Sequence, residues 1–225
     1  HLDWLGTSVA QSAERLGFAL GRADEDFVCA EMIFVHAIAR AAAPLLRGYI
    51  RGLVFAERRP TDRLLDLMTR LEASHPQVAV DILSYAGDSF DGLNRVVRLV
   101  DSYALPARYL ATFARGIGRR RLGAEEVGRL LPYFVDAARR GDAGSAQAGV
   151  RFLSQFLQFE HRQAQQSCLE VEHIRRHAWK LVEASLPIVG GHLAHEWSET
   201  IEKLASYDID HAANLLAQAL LCENL

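Results

Sequence analysis

Cysteine is scarce in this chain of 225 residues, and its three cysteines lie far apart. Cys29, Cys168 and Cys222 form no Cys-x-x-Cys pair and no cluster with the spacing of metal ligands. Disulfide frameworks and zinc ribbons need several cysteines at close, regular spacing, so the sequence disfavours both. We expect free thiols in a reducing compartment, which favours a cytoplasmic protein.

Recognisable catalytic motifs are also missing. The sequence has no Gly-Lys-Ser or Gly-Lys-Thr phosphate loop, although residues 141–149 are rich in glycine and alanine. It has no Gly-x-Ser-x-Gly, no glycine-rich dinucleotide motif after a strand, and no aspartate-rich pair of the kind that binds prenyl diphosphates. We therefore expect no enzymatic activity and no cofactor.

No hydrophobic run is long enough to cross a bilayer. The most apolar stretch, residues 27–46, is interrupted by three polar side chains, Glu31, His36 and Arg40. It predicts a helix buried in protein, and we expect no membrane partner. The chain has no recognisable signal peptide and begins with histidine, so we expect a fragment of a longer protein.

The chain has no large excess of charge of either sign, with a net charge of −3 and a pI near 6.3. Such a chain has no global attraction for nucleic acid or anionic lipid. One local exception places four guanidinium groups around a Gly-Ile-Gly turn: Arg115, Arg119, Arg120 and Arg121. These groups suit phosphate or acidic partners. We favour a solvated turn balanced by Glu125 and Glu126, because no row of aromatic residues accompanies the arginines.

Apolar residues recur at helical spacing along nearly the whole chain. Leu64, Leu67, Met68 and Leu71 form one such stripe, and residues 78–86, 93–100, 127–138, 150–157, 193–204 and 212–220 carry others. No segment alternates with the period of a strand. The sequence therefore predicts an all-α fold.

Prolines and glycines divide these stripes into helices with short connections, which favours antiparallel neighbours. Pro44, Pro60, Pro76 and Pro106 fall where helices are expected to begin. The stripes on either side of Pro76 predict a helix hairpin over residues 61–86, joined at Ser74–Pro76. Pro132 falls inside a stripe, where it either kinks that helix or begins a new one.

Two of the helix pairs share an apolar pattern at a constant offset of 133 residues. The matching positions are Leu64, Met68, Leu71, Ala79, Ile82 and Leu83 with Trp197, Ile201, Leu204, Ala212, Leu215 and Leu216. This offset is close to four units of about 33 residues, the length of a helical repeat. We expect a single all-helical domain over residues 1–225, with N-terminal helices in 1–58 and helix-pair repeats in 61–221; an irregular multi-helix bundle is the alternative.

The segment from Ala73 to Leu83 resembles the turn and second helix of a HEAT-like repeat, and residues 207–216 resemble it more loosely. The first copy lacks the turn aspartate and the arginine after its valine that the family pattern has. The resemblance implies stacked antiparallel helix pairs, an α-solenoid, with a surface for binding or scaffolding and no particular chemistry.

Histidines offer the only spacing typical of metal ligands. Glu170 and His173, like Glu72 and His75, have Glu-x-x-His spacing, and His173 and His177 lie one helical turn apart. His192 and His195 add two further imidazoles, but no His-Glu-x-x-His motif is present. Pairs of this kind occur by chance at such frequencies, so we expect no metal site.

Glu31 is the most unusual single charge, because it lies in the apolar segment between Phe27 and His36. A carboxylate in such a segment needs a partner or a shifted pKa. We favour an ion pair with an arginine on a facing helix. The alternative is a pocket in which Glu31 or His36 faces a ligand.

The favoured function is a non-catalytic helical-repeat scaffold or adaptor that binds another protein or another domain of its own chain. One alternative is a small-ligand-binding helical bundle that uses Glu31 or His36. The other is a nucleic-acid-contacting domain that uses the Arg115–Arg121 turn.

Overall fold

The computed structural model describes residues 12–41, 43–115, 122–162, 167–189 and 193–223. Within these ranges the chain forms twelve α-helices, a few short 3-10 turns and no strand. The all-α prediction is confirmed. In the same residues, no helix combines the length and the apolar character that a membrane span requires.

The chain divides between Gly118 and Arg119 into two compact units. The described helices of unit 1 are α1 (Ala13–Ala23), α2 (Ala30–Arg40), α3 (Pro44–Phe55), α4 (Asp62–Ser74), α5 (Pro76–Ala86), α6 (Gly92–Asp101) and α7 (Arg108–Arg115). Those of unit 2 are α8 (Ala124–Arg139), α9 (Ala143–Arg162), α10 (Glu172–Ser185), α11 (Leu193–Ala205) and α12 (Ile209–Glu223).

Helices α1 and α3 of unit 1 make the most extensive helix–helix contact in the described residues. Each helix carries two glycines four residues apart, Gly17 and Gly21 on α1 and Gly48 and Gly52 on α3. A Cβ atom added at Gly48 would lie 2.0 Å from the Glu14 carbonyl oxygen, and one at Gly17 would lie 2.1 Å from that of Leu45. Only glycine permits this separation, so these four residues bring the two backbones together.

Helix α5 lies at the centre of unit 1, where it packs against α3, α4, α6 and α7. The predicted hairpin over 61–86 is confirmed as α4 and α5, which meet at His75. The Thr61 hydroxyl caps α4 by accepting the Leu64 N–H, and α5 begins directly at Pro76. All six apolar positions of this hairpin that match the later pair are buried.

In unit 2, α8 packs against α9 and α10, while α9 also packs against α10 and α11. Helix α8 continues through Pro132, so no new helix begins there. Polar groups support the α9–α11 contact: one Glu199 carboxylate oxygen accepts hydrogen bonds from Ser154 at 2.9 Å and Gln158 at 2.6 Å. The last helix, α12, packs mainly against α11 and the 3-10 turn Leu186–Ile188.

The prediction of one buried helix over residues 27–46 was wrong. Ala41 has a φ of 49°, a left-handed conformation that ends α2, and α3 then begins at Pro44. Helix α2 buries Ile33 and Phe34 but leaves Met32 and Val35 exposed, so it lies at the surface of unit 1. The single domain and the repeat stacking remain predictions from the sequence.

Candidate functional site

Of the large apolar side chains exposed in unit 2, three lie along one face of α12, whereas Leu221, 69% exposed, lies on α12 away from that line. Ile209 is 72% exposed, Leu216 is 41% exposed and Leu220 is 63% exposed. With Ala213, also exposed, they follow the spacing i, i+4, i+7, i+11, which places them in one line along the helix. We call Ile209, Ala213, Leu216 and Leu220 the α12 stripe.

An adjoining face of α12 is the one that holds it in unit 2. Ala212 and Leu215 are buried there. The first turn is fixed further by His211, whose Nε2 lies 2.7 Å from Glu183 Oε1 of α10 and whose ring meets the edge of Trp179 at 4.5 Å between centroids. Helix α12 is thus buried along Ala212 and Leu215 and exposed along the adjoining α12 stripe.

In the matching hairpin of unit 1, the positions that correspond to the stripe are covered by other helices. Leu216 corresponds to Leu83, and Ala213 corresponds to Val80, at the offset of 133 residues. Leu83 and Val80 are completely buried among the helices around α5. The same pattern is therefore a core position in α5 and a surface position in α12.

The charged side chains at the start of α12 are acidic, although Arg175, Arg176 and Lys180 of α10 line the same surface pocket as Asp208. Asp208 and Asp210 are exposed at the first turn, and the Asp208 carboxylate accepts the His211 N–H at 3.0 Å. Between residues 204 and 223 the chain has no lysine or arginine. Among the residues of its own segment, the stripe thus combines an apolar centre with two aspartates at one end.

Unit 1 also has an exposed apolar line, formed by two residues of α2 and one in the turn before it. Val28, Met32 and Val35 follow the spacing i, i+4, i+7, and each is at least half exposed. The line is shorter than the α12 stripe, and the ion pair between Glu31 and Arg63 lies on α2 and α4 beside it. It provides a matched apolar surface for comparison with α12.

Glu31 forms the ion pair that the sequence favoured, since its carboxylate binds the Arg63 guanidinium on the facing helix α4. Both side chains are at least half exposed, so no ligand pocket encloses Glu31. His36, the other candidate ligand residue, is partly buried on α2. Its Nε2 is buried and has no hydrogen-bond partner among the described residues.

The arginine turn is described only at its first residue. Arg115 ends α7 and is exposed. Arg119, Arg120 and Arg121 lie outside the described residues. Of the two balancing acids, Glu126 accepts the Gly123 N–H at 2.8 Å and so caps the start of α8.

The histidine pairs have other partners. His177 Nδ1 lies 2.8 Å from the His173 carbonyl oxygen, and His75 Nε2 lies 2.7 Å from that of Ile38. Glu72 forms a largely buried ion pair with Arg95 at 2.7 Å. His192 lies outside the described residues, in which no three His, Cys, Asp or Glu side chains come together as a metal site would need.

Two of the cysteines lie beside carboxylates that hold loops. In unit 1, Asp24 accepts the N–H groups of Val28 and Cys29 and the Tyr49 hydroxyl, each at 2.8 Å. Burial alone favours the neutral acid, but these hydrogen bonds outweigh it and lower the pKa of Asp24. Burial, followed by the nearby Asp24 charge, raises the pKa of the Cys29 thiol. Cys29 is therefore a poor nucleophile.

In unit 2, Glu160 accepts the Cys168 N–H at 2.9 Å and is itself buried. Here burial outweighs the hydrogen bonds, so the pKa of Glu160 is raised. Burial and then the Glu160 charge also raise the pKa of the Cys168 thiol. Cys29 and Cys168 are both free thiols of low reactivity, and these carboxylates act as loop anchors.

The α12 stripe was not found from the sequence because its residues repeat the pattern of a buried helix. The paired glycines of α1 and α3 were also missed, although their Gly-x-x-x-Gly spacing is visible in the sequence and is typical of close helix contacts.

No protein-family model, curated protein or solved structure matches this chain. The fold and its surfaces define an all-helical protein of two compact units, with an exposed apolar face on its last described helix.

Proposed function

We propose that this chain is a non-catalytic helical domain that binds another protein through the α12 stripe. The occupant we propose is an amphipathic helix of the partner whose apolar face is flanked by lysine or arginine. The observation that carries the proposal is the contrast between Leu83, which is fully buried, and Leu216 at the matching position, which is 41% exposed. Stacking of the helix pairs in the manner of HEAT-like repeats is part of the proposal.

The apolar area that α12 leaves exposed to water supports the proposal energetically. Complete burial of a leucine or isoleucine side chain contributes about 1.5–3 kcal/mol. Much of that free energy is still available for binding, because three side chains of the stripe are exposed: Ile209, Leu216 and Leu220. Helices that dock in this way use residues at i, i+3 or i+4 and i+7, the spacing that the stripe presents.

The charge pattern supports a basic partner helix. Asp208 and Asp210 lie at one end of the stripe without a lysine or arginine on the same helix. Opposite charges at the rim of an interface accelerate association and select the orientation of the partner. A partner helix with an acidic rim would be repelled at this end.

The proposal is tested with two synthetic helical peptides of about 18 residues, long enough for five turns. Both carry the same leucine stripe; one is flanked by lysine and arginine and the other by glutamate. We expect the basic peptide to bind more tightly in a fluorescence anisotropy titration. The variant Leu216→Glu/Leu220→Glu should weaken that binding at least about 100-fold, since two anchors are lost and two charges would be buried.

The matched control is Met32→Glu/Val35→Glu, which makes the same change on the exposed line of α2. It should leave the affinity for the basic peptide unchanged. Equal losses in the two double variants, or tighter binding of the acidic peptide, would show the proposal to be wrong. Light scattering tests for a dimer in the absence of peptide. If the wild type is a dimer and Leu216→Glu/Leu220→Glu is a monomer, the occupant of the stripe is a second copy of the chain, and the proposal of a basic partner helix is wrong.

A further inference from the structure

A row of arginine and aromatic side chains runs along the α1–α3 pair of unit 1. Its members on α1 are Arg15, Phe18 and Arg22, at i, i+3 and i+7, and those on α3 are Arg47, Arg51 and Phe55, at i, i+4 and i+8. Tyr85 of α5 extends the row. We call these seven residues the arginine–aromatic row.

The row follows from the glycine contact between the two helices. Because Gly17, Gly21, Gly48 and Gly52 let the backbones meet, larger side chains next to them must lie along the edges of the contact. Phe18 and Arg22 directly follow the α1 glycines, whereas Arg47 and Arg51 directly precede those of α3. The two sets therefore form one continuous surface.

Contacts between neighbouring members show that the row is continuous. The Arg22 guanidinium carbon lies 5.0 Å from the centre of the Phe55 ring, which is 5.6 Å from the centre of the Phe18 ring. At the other end, Arg47 and Arg51 lie 5.7 Å and 5.6 Å from the centre of the Tyr85 ring. Stacking of this kind fixes long arginine side chains in place.

A surface cavity of about 400 Å³ lies in the middle of the row, lined by Glu14, Arg15, Phe18 and Arg51. Glu14 is already bound by Arg51 and by Arg47, whose Nε lies 3.2 Å from it. Arg47 also binds Asp81 at 2.9 Å. Within the described residues, neither Arg15 nor Arg22 has a carboxylate partner. The row thus has four guanidinium groups but only two neighbouring carboxylates, so it keeps an excess of positive charge.

We propose that the arginine–aromatic row binds a nucleotide unit, with phosphate at the cavity and the base on the exposed aromatic end. Arg15 and the outward donors of Arg51 would hold phosphate oxygens, since each guanidinium has five donors. Phe55, which is 64% exposed, offers a free ring face for a base. Alternating cations and aromatic rings suit an unpaired strand, whose bases are free to stack, better than a duplex. A free nucleotide shares this chemistry.

The probe is a labelled oligothymidine of about 12 nucleotides, within the range that single-strand sites span. Anisotropy titrations from about 50 mM to about 200 mM salt should give a dissociation constant on the order of 10 μM at the lowest salt, rising with salt. Arg15→Gln should reduce the log–log salt slope by about 0.7, the value for one phosphate contact to a single strand. Phe55→Ala should weaken binding about tenfold without changing the slope.

Arg98→Gln is the control, because this exposed arginine of α6 is outside the row; it should change neither the affinity nor the slope. Competition with thymidine monophosphate identifies the source: equal displacement per phosphate assigns the site to free nucleotides, and weak displacement assigns it to a strand. No binding at about 50 mM salt, or equal effects of all three variants, overturns the proposal. Displacement by inorganic phosphate with no effect of Phe55→Ala overturns it too, because the aromatic contribution would then be absent.

Discussion

The hairpins α4–α5 and α11–α12 carry the same apolar pattern, yet one is enclosed and the other is half open. In the first, the side chains of Met68, Leu71 and Leu83 are completely buried, and α5 has neighbours on several sides. In the second, Ile201 and Leu204 are equally buried, but Leu216 is not. The difference lies in the second helix of each pair, because α12 packs mainly against its own partner and one short turn.

This contrast shows what an apolar pattern determines and what it leaves open. Spacing of 3.6 residues determines which face of a helix is apolar. The number of neighbours that cover that face depends on contacts distant in sequence. An apolar face that stays exposed is the kind of patch that marks an interaction surface.

Truncation of the two matched leucines tests the difference between the hairpins with the largest expected effect. Leu83→Ala should cost about 3 kcal/mol of the free energy of unfolding, because it leaves a cavity among packed helices. Leu216→Ala should cost less than about 1 kcal/mol, since much of that side chain is already in water. Denaturant unfolding followed by circular dichroism measures both values. Equal costs would mean that α12 is covered as completely as α5.

A smaller effect is expected from Glu160 and Asp24, whose pKa values are shifted in opposite directions. The folded-state pKa of Glu160 is raised above its ordinary 4.5, so its contribution to stability is complete below about pH 4.5 and is lost as the pH rises through the folded value. Glu160→Gln should remove this loss, so the variant gains stability relative to the wild type as the pH rises above about 4.5.

Asp24 provides the opposite case. Its pKa is lowered below the ordinary 3.8, so its contribution is complete above that value and is lost as the pH falls through the folded pKa. Asp24→Asn should therefore flatten the acid side of the stability curve and leave the loss of stability above about pH 4.5 unaffected. Thermal melts across this pH range measure both changes. Two variants with the same pH profile would contradict the assignment of opposite shifts.

The sequence predicted the elements better than the surfaces. The stripe at Leu64–Leu71 and Pro76 correctly predicted a hairpin, because helix periodicity and a proline at a first turn are local properties. The ion pair of Glu31 was also predicted, since a charge in an apolar segment needs a partner. Exposure of Leu216 was not predictable, because it depends on which helices surround α12.

The arginine–aromatic row escaped prediction for a similar reason. Arg15 and Phe55 are 40 residues apart in sequence, and the glycine contact between α1 and α3 brings their helices together. Each helix alone contributes only two arginines and one phenylalanine. Attention to paired Gly-x-x-x-Gly motifs identifies such a contact from the sequence, although not the ligand that its edges hold.

The central claim, that α12 presents a docking face where α5 presents a core face, is tested most directly by hydroxyl-radical footprinting. Side chains are labelled in the free protein and in the presence of the basic amphipathic peptide, then located by mass spectrometry. We predict that Leu216 and Leu220 are oxidised in the free protein and protected by the peptide, whereas Leu83 is unlabelled in both states. Protection of Leu216 and Leu220 before any peptide is added, or equal labelling with and without it, would contradict the account.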